Sequence, residues 1–395
     1  IKEVQRKLAA LGLYRYTIDG GLGNETKAAL LEAFGDESWR TLSGPDAAKK
    51  LAAATKPTGT AGEHRFRFGE MFRDGVLDFT LAVGFDEKGH HDKAAADVEA
   101  VLTARGFAED AAEAEKIYTQ AGRTVPAASF GKFFVKKDAL TYTPPAGTAR
   151  KVHAVVRLLF SSSGAQGGSV AAEYEKGMSQ SDVAYYTGHG RYGTGPDFDP
   201  HTVVEVLDAS GTVLRKIENY ETLEVEMKDA GKKSGRGAWL EFLHQVKTKQ
   251  LRVVPSTAGN VRLTPANPAR TEFGRKLMDW NLDQAGKTPV TGKGNALEQA
   301  AQAKEARKYR VLVYDGCNTT SYVRSIHATK GYDTKSTDIL GTKDEINWGT
   351  EGPALASFLD GIIAQQSAEE ITKNMDNNRN VYGSFGTADN PVVPK

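Results

Sequence analysis

A single cysteine, Cys317, stands in 395 residues, so no disulfide can form within the chain. That scarcity fits either a reducing compartment or an exported protein stabilised by its core alone. No apolar run approaches the roughly 18 residues needed to cross a bilayer, which predicts no membrane span. A dominant charge sign is missing as well. With 51 Lys and Arg against 50 Asp and Glu the formal charge is +1, which gives no electrostatic reason to expect nucleic acid as a partner. No convincing set of spaced His, Cys and acidic ligands can be assembled, so no metal and no cofactor is expected. What is present, 39% apolar and 26% charged residues, describes an ordinary globular chain long enough for two or three domains.

The first residues carry helical periodicity at Val4, Leu8 and Leu11, and Gly12 follows where that helix would stop. A glycine-dense turn, Ile18-Asp19-Gly20-Gly21-Leu22-Gly23, leads into a second helix opened by Asn24-Glu25-Thr26 and continued by Leu30, Leu31 and Phe34. The string VQRKLAALGLY…IDGGLGNETKAALLEAF resembles the peptidoglycan-binding domain appended to many bacterial cell-wall hydrolases. That resemblance implies a small all-α domain over residues 1–42, with wall contacts from Tyr14, Tyr16, Asp19 and Gly20. It departs from the family where Gly35-Asp36 replaces the usual Phe-Gln.

Residues 43–62 are rich in Ala, Lys, Thr, Gly and Pro, and read as a linker. Strand-like alternation follows at Phe66-Arg67-Phe68 and through residues 76–83, then a polar turn through Gly89-His90-His91-Asp92. Adjacent histidines rarely share one ion, so His90 and His91 are expected in a solvated turn. Helical patterns near residues 97–105, 109–120 and 169–178 alternate with a continuous apolar run over 152–160. Such alternation predicts an α/β sandwich built on a largely parallel sheet.

Two strand-like runs end in chemistry. Residues 182–187 stop at Gly188-His189-Gly190, and residues 309–315 stop at Gly316-Cys317-Asn318 before a predicted helix. In open parallel sheets reactive groups gather where strands finish, because the loops there diverge. A thiol near a helix N-terminus and an imidazole has its thiolate stabilised, which makes it a nucleophile for a peptide carbonyl, and histidine can protonate the leaving amine. Asp315, two residues before the cysteine, would share its face on a strand and either tunes the site or caps a loop. His201, His244 and His327 are other conceivable partners, but none follows a buried strand with flanking glycines.

Taken in order, YYTGHG and then VLVYDGC resemble the caspase-like cysteine peptidases, the group that includes gingipain and clostripain. The likeness covers about residues 150–200 and 309–365, including the pattern at Ser336 to Thr342 and a helix over 354–363. It implies a three-layer α/β/α sandwich over residues 63–395, with His189 as general acid/base and Cys317 as nucleophile. The backbone N–H groups of Gly190 and Cys317 would form the oxyanion hole. The two blocks are more widely spaced than in compact members, which implies an insertion at about residues 201–305. That insertion begins with a hairpin-like pattern at residues 203–214 and carries basic stretches at 232–237 and 286–294, which read as ordinary solvated loops or, by analogy with relatives cut between the catalytic blocks, as sites of self-cleavage.

The expected protein is a secreted or envelope-located bacterial endopeptidase that holds peptidoglycan through its N-terminus and cuts protein or peptide substrates. A peptidoglycan endopeptidase or amidase is the alternative enzyme. Papain-like wall enzymes place Cys before His, the reverse of the order here. A non-catalytic wall-binding scaffold with a degenerate protease fold is the alternative from another class.

Overall fold

The longest apolar runs of the sequence become neighbouring strands. The computed structural model describes residues 1–57, 65–86, 89–126, 131–160, 167–188, 309–316, 337–342 and 351–376, with short pieces elsewhere such as 190–191, 204–207, 213–217, 252–255, 319 and 382–385. The strands in chain order are β1 (Val76–Val83), β2 (Phe107–Glu109), β3 (Gly131–Lys136), β4 (Leu140–Tyr142), β5 (Arg150–Leu159), β6 (Val183–Thr187), β7 (Gly190–Arg191) and β8 (Gly195–Pro196). They continue with β9 (Val204–Leu207), β10 (Val213–Ile217), β11 (Arg252–Pro255), β12 (Arg310–Asp315), β13 (Thr337–Thr342) and β14 (Tyr382–Phe385). The main sheet has the order β14-β13-β12-β6-β1-β5-β3-β2, with β4 paired to β5. Its five central strands, β13, β12, β6, β1 and β5, run parallel, while the outer strands pair antiparallel.

Helices cover both faces of this sheet. One face packs α5 (His90–Ala104), α8 (Glu351–Ile363) and α9 (Ala368–Met375) against odd-numbered β1 residues such as Leu77, Phe79 and Leu81. The other face carries α6 (Ala111–Gln120) and α7 (Gly167–Gln180), which meet Val76 and Ala82 respectively. The polar members of the β1 alternation are therefore buried too, each with a partner: Tyr118 Oη donates to Asp78 at 2.5 Å, and the Thr80 and Ser181 hydroxyls lie 2.8 Å apart. Strands covered on both faces need near-continuous apolar character, which the other central runs supply.

The chain opens with three α-helices that pack together: α1 (Lys2–Ala10), α2 (Asn24–Phe34) and α3 (Gly44–Ala52). The third corrects the expected linker over 43–62. Ser43 caps it by accepting from Asp46 N at 3.2 Å, Pro45 occupies its first turn, and Ala47, Ala48 and Leu51 pack with Val4, Leu8, Leu30 and Phe34. Small alanines on its buried face and lysines on its outer face gave it the composition of a tether. Residues 58–62 of that expected linker lie outside the described residues.

The helical unit is docked on the α/β part. Gly69 N donates to Glu32 Oε2 at 2.6 Å, and Ala146 N donates to Ala33 O at 2.8 Å. A Cβ at Gly69 would lie 2.6 Å from Glu32 Cα, so this approach admits no side chain. Gly69 belongs to the short helix α4 (Phe68–Met71), which corrects the strand expected at Phe66-Arg67-Phe68. Both phenylalanines are buried, and Phe68 packs on Phe72, which meets Tyr142 edge to face. Aromatic residues two apart thus reflect burial at a chain crossing rather than a strand.

In the region expected as an insertion, β9 and β10 pair antiparallel as the hairpin pattern predicted, and β11 joins β9 on its other side. The basic stretches at 232–237 and 286–294 lie outside the described residues.

Candidate functional site

Strands β6 and β12 are parallel neighbours, with Tyr186 opposite Tyr314 and Thr187 opposite Asp315. Parallel neighbours end at the same edge of a sheet, so the segments that lead into His189 and Cys317 finish side by side. Gly188 N donates to Asp315 O at 3.0 Å, which carries the ladder one residue past β6. On the other side of β6, Gly84 N donates to Thr187 O at 2.8 Å. His189 and Cys317 themselves lie outside the described residues, as do His201, His244 and His327 and, apart from Thr319, the helix expected after Cys317.

Asp315 is fully buried and turned inward. Its Oδ2 accepts from Tyr185 Oη at 3.1 Å and from Thr187 Oγ1 at 3.2 Å, both on β6. The carboxylate thereby ties the two strand ends together through side chains as well as backbone, and a buried acid with such donors is a fixed element of the scaffold. Beyond Gly188 the chain forms a small two-stranded ribbon, Gly190–Arg191 (β7) against Gly195–Pro196 (β8).

The same edge includes the end of β1. His91 is buried there between the Phe85 and Phe160 rings, at centroid distances of 4.6 and 5.9 Å, and its Nδ1 accepts from Asp86 N at 3.1 Å. His90 N donates to Asp86 Oδ2 at 3.2 Å as α5 begins. The expected solvated turn is thus a helix start, and the two rings occupy different environments. Among the described residues no group of three His, Cys, Asp or Glu side chains could hold a metal ion.

In the N-terminal unit three of the four residues expected to touch the wall, Tyr14, Asp19 and Gly20, bond one polar side chain that periodicity does not reveal. Gln5 is buried, its Oε1 accepts from Gly20 N at 2.8 Å, and its Nε2 lies 2.8 Å from Asp19 Oδ1 and 3.2 Å from Tyr14 Oη. Asp19 also accepts from Gly21 N at 2.7 Å. The hydrogen bond from Gln5, followed by that from Gly21, holds the Asp19 carboxyl below the usual carboxylate range. Tyr14 is buried and donates to Thr17 O at 2.9 Å, while Tyr16 packs on its edge at 5.6 Å. Tyr14 and Gly20 shape the loop, whereas the Asp19 side of it faces solvent beside the exposed Ile18 and Leu22.

Replacing Gln5 by Ala leaves the Gly20 amide and the Tyr14 and Asp19 oxygens without this amide. The expected cost is about 2 kcal/mol, read as a lower denaturant midpoint for the helical unit of the full chain. A midpoint equal to that of the parent would mean water replaces the amide without loss.

The fold and site define an α/β protein with a mostly parallel sheet and a candidate site where two central strands end. No protein-family model matches the chain, no curated protein matches it, and no solved structure matches it. No described helix is long and apolar enough to cross a membrane.

Proposed function

We propose that this chain is a cell-wall-associated cysteine endopeptidase of caspase-like architecture, with Cys317 as nucleophile and His189 as general acid/base. The observation that carries the reading is the side-by-side ending of β6 and β12, held by the 3.0 Å hydrogen bond from Gly188 N to Asp315 O. A strand end immediately before a histidine, next to a strand end immediately before the sole cysteine, supports a dyad in one crevice. In the proposed reaction the Cys317 thiolate attacks the scissile carbonyl, and the N–H groups of Gly190 and Cys317 receive the developing oxyanion. His189 then gives its proton to the departing amine, and water hydrolyses the thioester. The helical unit supplies peptidoglycan attachment through the loop around Asp19, and the protein works in the envelope or outside the cell. Asp315 acts on the geometry of the site, an assignment supported by its inward bonds to Tyr185 and Thr187.

The test is to present the purified chain with a peptide library and with purified sacculi, before and after alkylation by iodoacetamide. Because Cys317 is the sole cysteine, alkylation is site-unique. Peptide cleavage that disappears on alkylation is the expected result. Release of wall fragments without peptide cleavage would instead assign a peptidoglycan hydrolase, and an unreactive thiol with neither activity would leave a non-catalytic scaffold.

A further inference from the structure

The segment that contains Cys317 is bracketed by a closed set of hydrogen bonds between two buried threonines. Thr342 ends β13, the other parallel neighbour of β12, and Thr319 lies two residues past the cysteine. Thr342 N donates to Thr319 Oγ1 at 2.8 Å, and Thr319 N donates to Thr342 Oγ1 at 3.3 Å. The Thr319 hydroxyl donates to Tyr314 O at 2.8 Å, and the Thr342 hydroxyl donates to Gly316 O. Each of the four donors, two amides and two hydroxyls, thus has an acceptor. The 3.1 Å approach of the two hydroxyl oxygens needs no proton of its own.

Valine would fill the same volume at either position, and burying a hydroxyl is costly unless it is bonded. A buried polar network in which every member is satisfied gains rigidity and a single geometry. Here that rigidity falls on Tyr314 O and Gly316 O before Cys317 and on the Thr319 amide after it. On the opposite flank of β12, Asp315 is bound to Tyr185 and Thr187 of β6. The strand end that leads into Cys317 is therefore fixed from both neighbouring strands.

We propose that Thr319 and Thr342 are positioning residues that hold Gly316 and Thr319, the described residues on either side of Cys317, in fixed relation to the ends of β12 and β13. The proposal rests on the dyad reading given above. A shift of about 1 Å in a reacting group can cost about 10²-fold in rate, so a pair of hydroxyls that fixes the backbone on both sides of the nucleophile controls turnover without touching substrate.

The experiment uses the full chain with Thr342→Val, Thr342→Ser and Thr319→Val, and reads kcat and KM on a peptide that the parent cleaves. It also reads the pH profile of iodoacetamide labelling at Cys317. Thr342→Val is expected to lower kcat by about 10- to 100-fold with KM within about twofold, and to displace the labelling profile. Thr342→Ser, which keeps the hydroxyl, is expected to restore both. Thr319→Val provides the same comparison from the other side if Thr342→Val does not fold. Parent-like kcat and labelling in a folded valine variant overturn the proposal, even if the unfolding midpoint falls. If the parent cleaves no peptide but its thiol labels, the protease reading fails. The profile then decides alone: displacement by Val and rescue by Ser support the positioning role, and an unchanged profile overturns it. A parent thiol that neither cleaves nor labels overturns both.

Discussion

Gly188→Val is expected to lower peptide turnover by about 10²-fold and to destabilise the chain by about 3 kcal/mol. Gly188 has φ +151°, a conformation that side chains with a Cβ rarely adopt. A Cβ built there would lie 2.6 Å from Tyr186 Oη and 2.9 Å from Gly84 Cα. Neither neighbour can retreat easily. The Tyr186 ring is enclosed by Tyr174, Tyr314 and Phe198 at centroid distances of 6.1, 5.3 and 5.4 Å, and Gly84 is tied through its N–H to Thr187 O. The strain must therefore move the backbone that leads into His189. Denaturant unfolding and kcat on a cleaved peptide check the two effects, and Gly188→Ala should show both in milder form. Full turnover in a stable Gly188→Val chain would show that the end of β6 tolerates displacement.

A second large effect is a loss of stability between about pH 4.5 and pH 7, governed by Glu32. Burial pushes its carboxyl from 4.5 up to about 7, against the opposing influence of Arg65 and the hydrogen bond from Gly69 N. Glu70 adds to the rise, and Arg67 opposes it. The folded chain thus binds this proton more tightly than the unfolded chain. The Glu32 contribution is fully present below pH 4.5, declines as the pH rises, and is gone above about 7, where both states are ionised. The span corresponds to about 3 kcal/mol. Glu32→Gln keeps an acceptor for Gly69 N and removes the charge, so it should flatten this part of the profile and raise stability at pH 8. Unfolding midpoints measured at pH 4.5, 6 and 8 for both chains provide the check. A parallel pair of profiles would place the titration elsewhere.

The central strands were legible because residues covered on both faces must be apolar almost throughout, as at 152–159 and 310–315. Their endings were legible too, since Gly188 and Gly316 interrupt the runs beside the two reactive residue types. Adjacency of β6 and β12 was not, because long-range pairing leaves no mark on either segment. The threonine pair was equally silent: Thr319 and Thr342 resemble any polar residues that end a strand or open a loop. Two misreadings share a cause. Helix α3 and the Phe66 to Phe68 crossing are buried through contacts with distant segments, α1 and Tyr142, so local composition suggested a tether in one case and a strand in the other. Gln5 was missed because a glutamine among helical apolar positions reads as a surface residue, whereas here it organises the loop that contains Asp19.

The docking of the helical unit has a directional result. Glu32 meets Gly69, and Glu70 Oε1 accepts from Tyr309 N, so the unit sits where β12 begins. Asp315 marks where β12 finishes, six residues further on, about 20 Å away at the rise of an extended chain. Anything that grips the helices therefore takes hold of the sheet near the start of β12, away from the edge where β6 and β12 end. If the helices hold a wall polymer as proposed, that edge would lie away from the point of attachment.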